Sequence, residues 1–146
     1  MGLGPFAVGA SPILAMPLLR AFLVEDNPMV RDNLVAALRE LVPLEVVGCA
    51  SDEAAALAWL ESPEHRCDVV IVDILLEAGS GVGLLRRLQA RGEKVERVVL
   101  SNHVTPGLRR HCLALGATQV FDKSRQIDDL VAHCIALALR LLPAEE

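Results

Sequence analysis

A chain of 146 residues with 53% hydrophobic and only 3% aromatic content fits one domain, able to bury roughly 70% of its unfolded surface in a mainly aliphatic core. The net charge of −5, without a dense basic run, lacks the electropositive footprint that direct nucleic-acid binding needs. Four cysteines at 49, 67, 112 and 134 are too far apart for zinc or redox motifs, and read as small buried hydrophobes in a reducing cytosol.

The first nineteen residues, MGLGPFAVGASPILAMPLL, carry no charge. A secretory leader needs a basic stretch ahead of its apolar one, and the glycines and prolines here suit no membrane helix. No membrane partner is expected, and the cytoplasm is the expected location. Met16 opens MPLLRAFLVEDN, a natural protein start. Residues 1–17 are therefore expected to be a disordered extension without function, ahead of a domain over 18–142 and a tail over 143–146.

From Leu19 the pattern alternates. LLRAFLVED reads as a strand, then NPMVRDNLVAALREL as a helix with Asn27 as N-cap and Pro28 at its first position. LEVVGCA is a strand. SDEAAALAWLES is a helix capped by Ser51, with Asp52 and Glu53 where the dipole favours acids. DVVIVD, whose four β-branched residues suit a strand covered on both faces, leads into GVGLLRRLQARG, a helix ending on Gly92. ERVVLSN, PGLRRHCLALG, TQVFDKS and QIDDLVAHCIALALRLL complete the chain as strand, helix, strand and helix. Five strands strictly alternating with five helices predict an α/β fold, a parallel sheet with helices on both faces and right-handed crossovers.

Ligands of such sheets bind outside the carboxyl ends of the strands. The first strand ends on Glu25 and Asp26, the third on Asp73, the fourth on Ser101, and the fifth leads into Lys123. Each has an ordinary reading, as a cap, a turn residue or a solvated charge. Together they do not. Two carboxylates about 4 Å apart repel by roughly 4 kcal/mol at an effective dielectric of 20, so three at one edge call for a cation. Mg²⁺ suits them, because it takes one or two carboxylates plus waters and phosphate. A phosphoryl group could then share its oxygens among the metal, the Lys123 ammonium and the Ser101 hydroxyl. Asp73, on the central strand, is placed to attack phosphorus and form an aspartyl phosphate.

These residues resemble the receiver domain of two-component response regulators. The likeness rests on Glu25–Asp26, Asp73, Ser101 and Lys123 at intervals of 47, 28 and 22 residues from Asp26 onward, with Gly81 eight past Asp73. It covers about residues 18–142. It implies a flavodoxin-like, doubly wound sheet of strand order 2-1-3-4-5. It also implies that Asp73 takes a phosphoryl group from a histidine kinase or histidine phosphotransfer protein. Mg²⁺ would be held by Asp26, Asp73 and the Leu75 backbone carbonyl, with Glu25 on a coordinated water. Lys123 would pair with the phosphoryl group, and Ser101 would swing toward it. The change would reach the face of the fourth helix, fifth strand and fifth helix, where a downstream protein binds.

Three positions depart from the common receiver pattern. Glu77 and Ser124 stand where prolines are usual, and Val120 stands where an aromatic is usual, with Phe121 one place later. The signal is expected to leave the site without a ring turning at 120. His103, two residues past Ser101, is a candidate modulator at the rim; His65, His111 and His133 have no shared metal spacing. LRRLQARG reads as a solvated helix face. The last helix is apolar almost all round, which leaves two readings: a sheltered helix with an apolar flank, or a homodimer or partner surface. Only PAEE follows it, so a stand-alone phosphoacceptor switch is expected rather than an enzyme. The alternatives are a receiver-shaped interaction module that takes no phosphate and an aspartate-nucleophile phosphohydrolase. The latter lacks its usual second acid, since Leu75 stands two residues after Asp73.

Overall fold

The computed structural model describes residues 17–74, 76, 79–92 and 94–143. The expectations for residues 1–16, Leu75, Glu77 and the end of the tail lie outside these. The elements run β1 (Leu19–Val24), α1 (Pro28–Leu41), β2 (Leu44–Ala50), α2 (Glu53–Glu61), β3 (Val69–Asp73), α3 (Gly81–Ala90), β4 (Glu96–Ser101), α4 (Pro106–Ala114), β5 (Gln119–Asp122) and α5 (Ile127–Leu139). All strand pairs are parallel, in the order β2-β1-β3-β4-β5. This is the doubly wound, flavodoxin-like arrangement.

Side chains alternate across the sheet with the strand's period of two. Val69 and Ile71 of β3 join Leu34 and Leu38 of α1 and Leu130, Cys134 and Leu137 of α5. Val70 and Val72 join Ala56 and Leu57 of α2 and Leu84 and Leu88 of α3. Every residue of β3 is buried, as its unbroken β-branched run requires. Apolar burial on both faces is what holds the sheet between its helices.

Helix starts follow from local chemistry. Asn27 Oδ1 accepts from the Met29 and Val30 amides at 3.0 and 3.1 Å, and Pro28 has no amide to satisfy. The cap of α2 is Asp52 rather than Ser51: its Oδ1 accepts from the Ala55 amide at 2.8 Å. The helix begins one residue later than the serine suggests, and a carboxylate is the stronger acceptor at a helix N-terminus. Two cysteines also depart from expectation. Cys112 and Cys134 are buried, but Cys67, in the segment before β3, is half-buried, and Cys49 is exposed because β2 is an edge strand whose pattern is largely open.

Helix α5 buries one face only. Leu130, Val131, Cys134, Leu137 and Ala138 pack on the sheet, while Ile135 and Leu139 remain exposed. No helix among the described residues is long and apolar enough to cross a membrane.

His133 lies on the inner flank of α5. Its ring centroid is 6.0 Å from that of Phe121, its Nε2 is 4.0 Å from Glu96 Oε2, and Arg140 Nη1 is 3.5 Å from Glu96 Oε1. Burial pushes the His133 pKa down, against the pull of Glu96 and with the help of Arg140. The unfolded chain therefore binds the proton first as pH falls. Stability is expected to drop below a pH of about 6.5, the unfolded histidine value, and to level off below the folded value. Urea midpoints across that window should show a shallower drop for His133→Leu. An identical drop would remove His133 from the account.

Candidate functional site

Strand register gathers the site. Val24 pairs with Val72, Asp73 with Leu100, and Ser101 with Asp122. Glu25 is thus one step beyond β1, Asp73 ends β3, Ser101 ends β4, and Lys123 is one step beyond β5. A further backbone bond closes this edge: the Lys123 amide donates to the Ser101 carbonyl at 2.9 Å.

Glu25, Asp26 and Asp73 each offer a carboxylate oxygen, and these oxygens lie within 4.8 Å of one another. Lys123 Nζ donates to Glu25 Oε1 at 2.5 Å and lies 3.2 Å from Asp73 Oδ2. Glu25 is 4% exposed, Asp73 8% and Ser101 2%. The second Glu25 oxygen accepts from the Asn27 amide at 3.2 Å. Residues 25 to 27 thus join the acid pair to the start of α1.

Three carboxylates against one ammonium leave a formal charge of −2 when all are ionised. Burial raises the pKa of Glu25, and the neighbouring Asp73 charge adds to it. The bonds to Lys123 and the Asn27 amide offset only part. Burial disfavours the Lys123 ammonium, yet its bond to Glu25 and the charge of Asp73 outweigh that and raise its pKa. Lys123 is accordingly held as a cation. An all-oxygen, under-neutralised donor set of this size fits a hard divalent ion such as Mg²⁺.

The other sequence-predicted residues divide. His103 is exposed, in a shallow cleft of about 200 Å³ with Asn102, Thr105, Asp122 and Ser124. The lining of that cleft contains none of Glu25, Asp26 and Asp73, and not Lys123. Val120 is buried against Leu85, Val99 and Cys112, whereas Phe121 packs on the opposite face with the α5 cluster. A one-residue offset along a strand reverses the face, so the Phe121 ring does not occupy the place of a ring at 120.

Sequence reading missed Arg109. Its Nη1 donates to the Val120 carbonyl at 2.5 Å and its Nη2 to Gln126 Oε1 at 3.4 Å; that oxygen also accepts from the Asp122 amide at 3.0 Å. One guanidinium thus bridges α4, β5 and the start of α5. Nothing in the spacing of LRRHC announces it, because its partners are backbone and a glutamine. Losing charge-assisted hydrogen bonds typically costs about 1.5–3 kcal/mol, so Arg109→Ala should be destabilised by about that much. Urea denaturation checks it, and an unchanged midpoint would mean that solvent replaces both bonds.

The family model for the response regulator receiver domain matches residues 21–135. The chain is 32% identical over 136 residues to the alkaline phosphatase synthesis transcriptional regulatory protein SphR of Synechococcus elongatus, covering 88% of this chain and 52% of that one. It is 32% identical over 101 residues to the DNA-binding transcriptional activator DevR/DosR of Mycobacterium tuberculosis, covering 69% of this chain and 46% of that one. It spans about half the length of these relatives. Among solved structures, the signal receiver domain of NarL from Mycobacterium tuberculosis superposes with a TM-score of 0.74 at 24% identity, covering 84% of this chain and 97% of that one. The phosphorylated cyanobacterial phytochrome response regulator RcpA gives 0.68 at 25% identity, covering 83% and 91%.

Proposed function

We propose, given that this chain belongs to the receiver-domain family of response regulators, that Asp73 accepts a phosphoryl group in a Mg²⁺-dependent reaction and switches a protein-binding face. The observation that carries this reading is the Asp73 carboxylate itself. It sits in one cluster with Glu25 and Asp26 and 3.2 Å from Lys123 Nζ.

By the family likeness, Asp26 and Asp73 would be ligands for the ion, with Glu25 on a coordinated water and the Leu75 carbonyl as a further ligand. Bound Mg²⁺ would supply charge neutralisation and an anchor for phosphoryl oxygens. Asp73 attacks phosphorus through a carboxylate oxygen, and the bond to the donor nitrogen breaks. Lys123 stabilises the negative charge, as its raised pKa suits it to do. Ser101 donates from the end of β4. The donor is a phosphohistidine of a sensor kinase or phosphotransfer protein.

The output is proposed to run through the α4–β5–α5 face to a downstream protein, with the Arg109 bridge in place of a turning aromatic. The receiver unit is taken as residues 18–142, acting as a cytoplasmic signalling switch rather than an enzyme. DNA binding is named for several relatives and stays with those proteins.

The test is intact mass after incubation with acetyl phosphate. One added phosphoryl group with Mg²⁺, and none with a chelator, is expected. No adduct with Mg²⁺, under rapid quenching and with phosphoramidate as a second donor, would favour a module that binds its partner without phosphate.

A further inference from the structure

Gly81, the first residue of α3, lies directly against the proposed acceptor. A Cβ there would sit 2.5 Å from the Asp73 carbonyl oxygen and 2.7 Å from the Ile74 Cα, and the Gly81 amide donates to the Ile74 carbonyl at 3.3 Å. The backbone of Asp73 and the first turn of α3 thus have no slack between them. Whatever fixes that turn also fixes the acceptor.

The turn is held from α2. Ser80 caps α3 by accepting the Gly83 amide at 2.8 Å, and its own amide donates to Glu53 Oε1 at 3.0 Å. The other Glu53 oxygen lies 3.3 Å from Arg87 Nε, and the Glu53 side chain is 17% exposed. Two glycines make room for it. A Cβ on Gly79, which has φ +76, would be 2.6 Å from the Glu53 Cβ, and one on Gly83 would be 2.6 Å from Oε1. The carboxylate fills the space of two absent side chains and satisfies the amide just before the helix.

We propose that Glu53 is a positioning residue for phosphoryl transfer to Asp73, acting through Ser80 and the first turn of α3. This rests on the reading of Asp73 as the phosphoacceptor. Glu53 touches no reacting atom. Its carboxylate pins the Ser80 amide, the amide pins the turn, and Gly81 transmits that position to the acceptor backbone. In-line attack is sensitive to such placement, because a displacement of about 1 Å can cost about 100-fold in rate.

The experiment compares Glu53→Ala and Glu53→Gln with the parent, using phosphoramidate at saturating Mg²⁺ and a temperature at which all three are folded. Glu53→Gln keeps an oxygen for the Ser80 amide, and Glu53→Ala does not. The Ala variant should phosphorylate about 10-fold more slowly at saturating donor, a fraction of the full misplacement effect, and the Gln variant should recover most of that loss. A folded Ala variant reacting at the parental rate would overturn the proposal, leaving Glu53 a purely structural contact. Equal slowing in both variants would also overturn it, since the lost charge rather than the Ser80 bond would then matter. If the parent takes no phosphoryl group, the reading of Asp73 fails instead. Amide hydrogen exchange at Ile74 and Gly81 then judges the positioning: faster exchange in the Ala variant supports it, and unchanged exchange removes it.

Discussion

Asp73→Asn is expected to take up no phosphoryl group from either small-molecule donor under conditions that modify the parent fully. The asparagine keeps the shape of the side chain and one acceptor oxygen, but an amide has no anionic oxygen to attack phosphorus. Rate loss alone would not separate a lost nucleophile from a damaged fold, so the stability expectation matters as much. Asp73 faces the carboxylates of Glu25 and Asp26, which repel it, and lies 3.2 Å from the Lys123 ammonium, which attracts it. Removing its charge should stabilise the metal-free protein by about 1 kcal/mol, a small residue of pair energies near 4 kcal/mol each at an effective dielectric of 20. The parent should gain about 2.7 kcal/mol from Mg²⁺ at a hundred times its dissociation constant, and the variant far less. Thermal or urea unfolding with and without Mg²⁺ reads both. A variant that is less stable than the parent without metal, or equally stabilised by it, would contradict this account of the cluster.

Lys123→Met should have the largest effect on stability. Methionine keeps much of the apolar stem but leaves Glu25 and Asp73, whose side chains are 5% and 10% exposed, without their cation. Breaking a buried pair from one side typically costs about 3–5 kcal/mol, which is the loss expected near neutral pH without divalent ions. The pH dependence has a definite sign. The folded-state pKa of Glu25 is already raised above its ordinary value, chiefly by burial, and loss of Lys123 raises it further. The folded protein then binds a proton that the unfolded chain releases, so stability rises as pH falls through the folded value. The defect of Lys123→Met should therefore be greatest at alkaline pH and shrink toward mild acid, and Mg²⁺ should reduce it at any pH where the acids are ionised. Urea titrations at several pH values read this. A loss independent of pH would mean that Lys123 acts by packing rather than by charge.

The architecture was legible because period-2 and period-3.6 patterns alternate without interruption, and because caps such as Asn27–Pro28 mark their own helices. The acidic cluster was legible for a related reason. In a parallel sheet all strands end on one side, so Glu25, Asp26, Asp73, Ser101 and Lys123 converge once the strands are identified. The features that escaped depend on contacts across elements that leave no local pattern. Arg109 reaches a backbone carbonyl eleven residues away, and Glu53 reaches a backbone amide twenty-seven residues away. Backbone partners carry no sequence signature. The cap of α2 was misjudged by one position because Ser51 and Asp52 are both good caps, and only backbone geometry decides between them. Cys49 was read as buried from its residue type, yet an edge strand has fewer neighbours to cover it.

The most direct measurement is to locate the phosphoryl group. An aspartyl phosphate is an acyl phosphate, which borohydride reduces to homoserine at the modified residue, and peptide mass spectrometry then reads its position. The account predicts homoserine at 73 after treatment with acetyl phosphate and Mg²⁺, and none in a sample treated without the donor. Homoserine at 26 or 122 with residue 73 intact would contradict it, and would move the acceptor off the central strand.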